Sequence, residues 1–301
     1  MKAIGIVGIV IAILLRLLIR EPRRQTALVT TTSPKLHLAK QNFLAVFSYI
    51  IRMRSFWLLT FSASLRQLAG NVFGYYMPAY LSTLYPSQAN ILSNYGIIVG
   101  AAGSVAVLSG GLLTKLLWPR TNLTPLYLTA IGGMISSLFV LLMIFSLSIA
   151  DGSQIRGVKI LYGTMSLAYL TAELWLGALN ALIALLLPPR YKTFGLAIWA
   201  STQVLVYSSG PEIIGLALRN VESGSVDYLR IVKIALAAII CVGYWACGIG
   251  LLAAVPLVRR DLQGDFVRGK VGRGRKIGFA AFGVVLVVMV VVLFICSIVY
   301  R

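Results

Sequence analysis

Eight stretches of this 301-residue chain are nearly unbroken apolar runs separated by polar connections: Ile4–Ile19, Phe56–Leu84, Ile91–Leu117, Leu126–Ile149, Ile160–Leu187, Phe194–Ala217, Ile231–Val258 and Ile277–Tyr300. A helix crossing the hydrocarbon layer needs about 20 mostly apolar residues, so the pattern predicts eight spanning helices. The first run is followed by a basic flank and has no small-residue cleavage site, which favours a spanning helix over a leader. Before the second run, "NFLAVFSYIIR" places Phe43, Phe47, Ile50 and Ile51 at helical spacing, which predicts a short interfacial helix.

Composition agrees with the pattern: 59% of residues are hydrophobic, 12% are charged, and the mean hydropathy is +0.89. Such a chain is a multi-pass integral membrane protein with no room for a separate soluble catalytic domain. The net charge of +19 would fit nucleic acid, but its distribution does not. Arg20, Arg23, Arg24, Lys35, Lys40, Arg52 and Arg54 precede the second run, whereas the connection around Pro86 carries no charge. Lys115 and Arg120, then Arg190 and Lys192, then the cluster from Arg259 to Lys276 return to the side of the first basic linker. The positive-inside bias makes that side cytoplasmic. The expected partner of these cations is a bilayer with anionic headgroups, not nucleic acid.

Candidate chemistry is sparse. His37 has no second ligand candidate beside it, and Cys241, Cys247 and Cys296 lie in apolar runs, so no metal, cofactor or disulfide framework is expected. No His or Cys joins the intramembrane carboxylates as a nucleophile set, which argues against an enzyme.

The charges inside the runs are more informative. An ionisable group at the bilayer centre costs about 2.5 to 3.5 kcal/mol on insertion scales, so it tends to face a bundle interior or a wet cavity. Arg66, Glu173 and Glu212 qualify. On a helix turning about 100° per residue, Leu59, Ala63, Arg66, Gly70 and Gly74 share one sector, with Gln67 beside it. Tyr162, Ser166, Tyr169, Glu173, Gly177 and Asn180 share another on the fifth run, a polar stripe facing a cavity or sewn into an interhelical hydrogen-bond seam. Glu212, beside Pro211 late in the sixth run, reads as a solvated helix end.

Several of these motifs resemble the major facilitator superfamily. "REPRR" at 20–24, the basic linker and "RMRSFWLLT" look like the junction between the sixth and seventh helices of such a transporter. "SGGLLTKLL" at 109–117 is similar to the signature of the loop between helices eight and nine, with Lys115 where an aspartate is usual. "AELWLGALNALIALLLPPRYKTFGLA" and "SSGPEIIG" resemble helices ten and eleven of the spinster-like, sphingolipid-transporter branch, with Tyr207 where an aspartate often stands.

The resemblance implies an all-α membrane fold: a transporter's C-terminal six-helix bundle (55–258), preceded by one helix of the N-terminal half (1–20) and a basic linker with an interfacial helix (21–54), and followed by a second basic linker (259–276) and an extra helix (277–301). It implies a secondary transporter, or a fragment of one, moving an amphiphilic or organic anion such as a lysolipid by alternating access, with protons as a plausible coupling ion. Arg66, Glu173, Tyr169, Asn180, Gln67 and Ser166 are the expected substrate and coupling residues, with Arg66 and Glu173 meeting across the cavity. Gly110, Gly111, Lys115, Arg120 and Arg190 are the expected gating loop. Half of the family's interface is not accounted for, so a missing N-terminal half or self-association is the expected partner. The alternatives are an inactive half-transporter from a truncated gene and a membrane scaffold or receptor subunit.

Overall fold

A computed structural model describes residues 43–188, 191–219, 221, 225–263 and 288. The first and eighth expected spans, Arg190, and most of both basic linkers lie outside the described residues. The described chain is helical, with turns between helices. A short helix, α1 (Phe43–Arg52), occupies the interfacial position, and α2 (Arg54–Leu84) follows after Met53. Tyr85 ends α2 because the next residue is Pro86, and a residue before proline is pushed out of the helical region. Then come α3 (Ile91–Leu117) and α4 (Thr124–Ile144), the latter started by Pro125, which needs no hydrogen-bonding N–H in a first turn. A four-residue helix, α5 (Ser146–Ile149), leads to a tight turn at Asp151 and Gly152, whose φ values of 51° and 78° lie in the left-handed region that glycine adopts without strain.

The expected fifth span is two helices, α6 (Gln154–Ala172) and α7 (Trp175–Leu186), interrupted at Glu173 and Leu174. The wheel drawn through it as one continuous stripe is corrected accordingly. α8 (Lys192–Leu218) and α9 (Val226–Leu262) complete the described bundle. Ser225 caps α9, its Oγ accepting the Tyr228 N–H at 3.1 Å. At 37 residues α9 is about 55 Å long, well beyond a hydrocarbon layer of about 30 Å, so its Arg259–Arg260 end projects into the polar region. The second basic linker therefore begins after α9, not at 259.

Four helical segments, Ile91–Leu117, Thr124–Ile144, Gln154–Leu186 and Val226–Leu262, are long and apolar enough to cross a membrane. α2 and α8 are equally long but carry more polar residues. The chain is an all-α, multi-pass membrane protein.

α2, α9 and α4 pack as the central row; α8 flanks α2, α6 and α7 flank α4, and α3 covers α6 and α7. The buried apolar residues form two separate cores. One joins Ala69–Tyr85 of α2 and its end to Val140–Ile144, Leu161–Ala172 and Val232–Tyr244. The other joins Phe56–Ala63 to Leu123–Ala130, Trp175–Leu187 and Cys247–Val258. Between them, at the middle of α2, lies Arg66. Near one end Tyr85 is fully buried, with its hydroxyl 2.7 Å from Ser146 Oγ, and a side chain larger than hydrogen at Gly157 would strike it. At the other end the Ser55 hydroxyl donates to the Asp261 carboxylate, tying the start of α2 to the end of α9.

Candidate functional site

The break between α6 and α7 organises the site. A helix that stops leaves its last carbonyls without intrahelical partners, an expensive condition in a dry interior. Arg66, only 2% exposed, answers this: its Nη2 donates to the carbonyl of Ala172, the last residue of α6, and its Nη1 donates to the Thr129 carbonyl of α4 at 3.2 Å. A cation at a helix C-terminus also meets the negative end of the helix dipole. The guanidinium carbon lies 5.1 Å from the Trp175 ring centroid and 4.8 Å from that of Tyr244, so the aromatic faces of α7 and α9 complete its enclosure.

Glycines make the close approach possible. A Cβ on Gly133 would overlap Arg66 Nη1, one on Gly132 would come 2.8 Å from the Thr171 carbonyl oxygen, and one on Gly110 would run into the Leu174 backbone. The break is thus gripped by α4 on one side and α3 on the other.

Beside this seam lies a small, partly open cleft. Gly70 and Phe73 of α2 line it, with Tyr169, Glu173 and Tyr244 from the facing helices. Ser136 also lines it, but its hydroxyl is spent on the Ala168 carbonyl at 2.9 Å. Glu173 itself, the residue that ends α6, is half-buried, and among the described residues its carboxyl accepts no hydrogen bond.

The expected direct pairing of Arg66 with Glu173 is therefore corrected. Among the described residues the two form no ion pair; the guanidinium goes to the carbonyl of the preceding residue because the broken helix offers it there. Tyr169 lines the cleft, but its hydroxyl meets that of Tyr95 at 3.0 Å, and Tyr162 accepts from Asn94 at 3.0 Å. These two belong to a hydrogen-bond seam between α3 and α6. Ser166 donates to the Tyr162 carbonyl, while Asn180, on the far side of the break, accepts from Trp199 Nε1 at 3.1 Å. Gln67 is half-buried, one position round α2 from Arg66. Gly110, Gly111 and Lys115 are not in a loop: they lie in the last turns of α3, whose helix persists to Leu117 with Pro119 beyond it, and only Arg120 sits in the turn. Arg190 lies outside the described residues. Thr129, Trp175, Tyr244 and Ser136 were not expected; the adjacent Gly132 and Gly133, in the middle of an apolar run, were their one legible signal.

A second device supports the far side of α2. Pro211 has no N–H to give the Tyr207 carbonyl one turn back, and Asn71 Nδ2 supplies the missing donor at 2.9 Å. The Tyr76 hydroxyl donates to the Pro211 carbonyl at 2.9 Å. Gly210 lets α8 come close enough for this, since a Cβ there would stand 2.6 Å from Val72 Cγ2.

No family profile and no curated protein matches the sequence. Among solved structures, the chain is similar to a bacterial homologue of the human lysosomal transporter Spinster, in an inward-facing and unoccupied conformation. Identity is 17%, the TM-score is 0.52, and the match covers 87% of this chain and 58% of that one. The two share a fold. It is the fold implied by the resemblance to the spinster-like branch of the major facilitator superfamily. The chain accordingly spans less than two thirds of that transporter's length.

Proposed function

We propose that this chain is a half of a secondary transporter that moves an amphiphile across a membrane by alternating access, with Glu173 as the coupling group. The observation that carries this reading is the mid-bundle seam: a broken helix whose end residue presents an unbonded carboxyl to an open cleft, between two apolar cores. A purely structural bundle gains nothing from interrupting a spanning helix and then burying an arginine to satisfy it. Similarity to a transporter fold supports the same reading. A second six-helix bundle, another copy or a separate half, packed over the cleft would complete a substrate cavity. Transporters of the major facilitator superfamily are built on that plan, from two halves that hold the substrate between them near the bilayer midplane.

The test is uptake of radiolabelled amphiphiles into proteoliposomes, comparing the purified monomer with its assembled fractions. Uptake confined to assemblies is expected. Robust uptake by a monomer defeats the half-transporter reading, and absence of uptake from every assembly favours a scaffold.

A further inference from the structure

Arg66 was the natural candidate to hold an anionic headgroup, but its surroundings leave it little to offer. Two of its nitrogens donate to main-chain carbonyls, two aromatic rings cover it, and it is not among the residues lining the cleft. Lys115, Arg120, Lys192 and Arg259 are exposed toward the helix ends, and none of the other described cations lines the cleft. What the cleft itself presents is the Glu173 carboxyl and the rings of Phe73, Tyr169 and Tyr244.

The half-charges of the α6 C-terminus and of the α7 N-terminus, two residues further on, largely cancel at the break, and Arg66 is committed to main-chain carbonyls, which leaves the Glu173 carboxyl as the ionisable group that the cleft presents. A carboxylate amid aromatic faces in a partly dry cleft is the arrangement that attracts an alkylated ammonium, through Coulomb attraction and the ring quadrupoles together.

Building on the transporter reading, we propose that the cleft takes an amphiphile by an ammonium headgroup, held at Glu173 and against Phe73 and Tyr169, and that Arg66, which already occupies the Tyr244 ring, positions Glu173 by capping the break. The second part explains why an arginine is kept where it touches no substrate: it fixes the end of α6, and Glu173 is the next residue.

Two probes with the same tail and opposite heads decide the matter. The full chain in lipid nanodiscs is titrated with hexyltrimethylammonium and with hexyl phosphate. The ammonium is expected to bind saturably and the phosphate not to compete. Glu173→Gln should weaken ammonium binding about tenfold or more, and Tyr169→Leu should weaken it by less. Should Glu173→Gln fail to fold, the unsubstituted chain gives the answer. Carbodiimide labelling of Glu173, followed by mass spectrometry, should be slowed by the ammonium probe and not by the phosphate. Tighter binding of hexyl phosphate, unchanged binding in a folded Glu173→Gln, or labelling that the ammonium does not slow would each overturn the proposal. Flux separates it from the transport reading. Glu173-dependent ammonium binding without uptake from any assembly supports the headgroup assignment and sinks transport; uptake of hexyl phosphate without ammonium binding does the reverse.

Discussion

Replacing Gly133 by alanine tests the packing of the seam without touching a charged residue. The new methyl group would fall on Arg66 Nη1 and 3.5 Å from its guanidinium carbon, so the guanidinium must withdraw. Withdrawal first breaks the bond to the Thr129 carbonyl, and a larger shift breaks the one to Ala172 as well. A hydrogen bond from a charged group is worth about 1.5 to 3 kcal/mol. Against this stands the better helix propensity of alanine, about 1 kcal/mol. The net expectation is a loss of about 0.5 to 2 kcal/mol if one bond goes, and about 2 to 5 kcal/mol if both go. Gly177→Ala is the control: it has the same chemistry on α7, with nothing within 4 Å of the added atom, and should be neutral or slightly stabilising. Unfolding in mixed micelles, followed by titration with a denaturing detergent, reads both. Arg66→Met in the Gly133→Ala background should recover part of the loss, because the flexible thioether can bend aside. If Gly133→Ala is as stable as Gly177→Ala, the guanidinium is not seated against α4 and the account of the seam is wrong.

Further expectations follow from the same contacts. Asn71→Leu strips the Tyr207 carbonyl of its donor and should cost about 1 to 3 kcal/mol; in a Pro211→Ala background the cost should largely vanish, because alanine restores the main-chain N–H. Equal cost in both backgrounds would show that Asn71 acts elsewhere. Arg66→Lys keeps the charge but cannot span two carbonyls, so it should lose about 1 to 2 kcal/mol of stability, measured by the same unfolding titration; a fully stable lysine variant would make the charge alone sufficient. Ser87→Cys and Asn122→Cys, exposed in the turns at opposite ends of the 27-residue α3, should react with an impermeant maleimide from opposite sides of the membrane, and labelling of both from one side would refute the span.

The spans were legible because apolar run length is set by bilayer thickness, a constraint blind to tertiary structure. α3 begins and ends where its apolar run does, and α2 and α8 within two residues of theirs. The interruption at Glu173 and Leu174 was not legible: neither residue is a helix breaker, and the kink exists because Arg66, Gly110 and Gly132 from other helices stabilise it. For the same reason the wheel singled out Arg66 and Glu173 correctly as facing the bundle interior but misjudged their relation. A wheel gives direction around an axis. It cannot say that a main-chain carbonyl will outcompete a carboxylate one residue away. The "SGGLLTKLL" motif misled through analogy, since the resemblance placed it in a loop while it continues α3 and its first glycine, Gly110, serves helix packing.

The arrangement around Arg66 also constrains how the protein is made. Its acceptor at Thr129 lies 63 residues further along the chain and the one at Ala172 lies 106 residues further. During synthesis α2 therefore reaches the insertion machinery with a guanidinium whose first acceptor arrives with α4 and whose second arrives only with the end of α6, four helical segments later. The ribosome delivers the charge long before the carbonyls that neutralise its cost. The cost of that interval, about 2.5 to 3.5 kcal/mol for a charge at the bilayer centre, falls on α2 until a helix break that has yet to be translated arrives to complete its bonding.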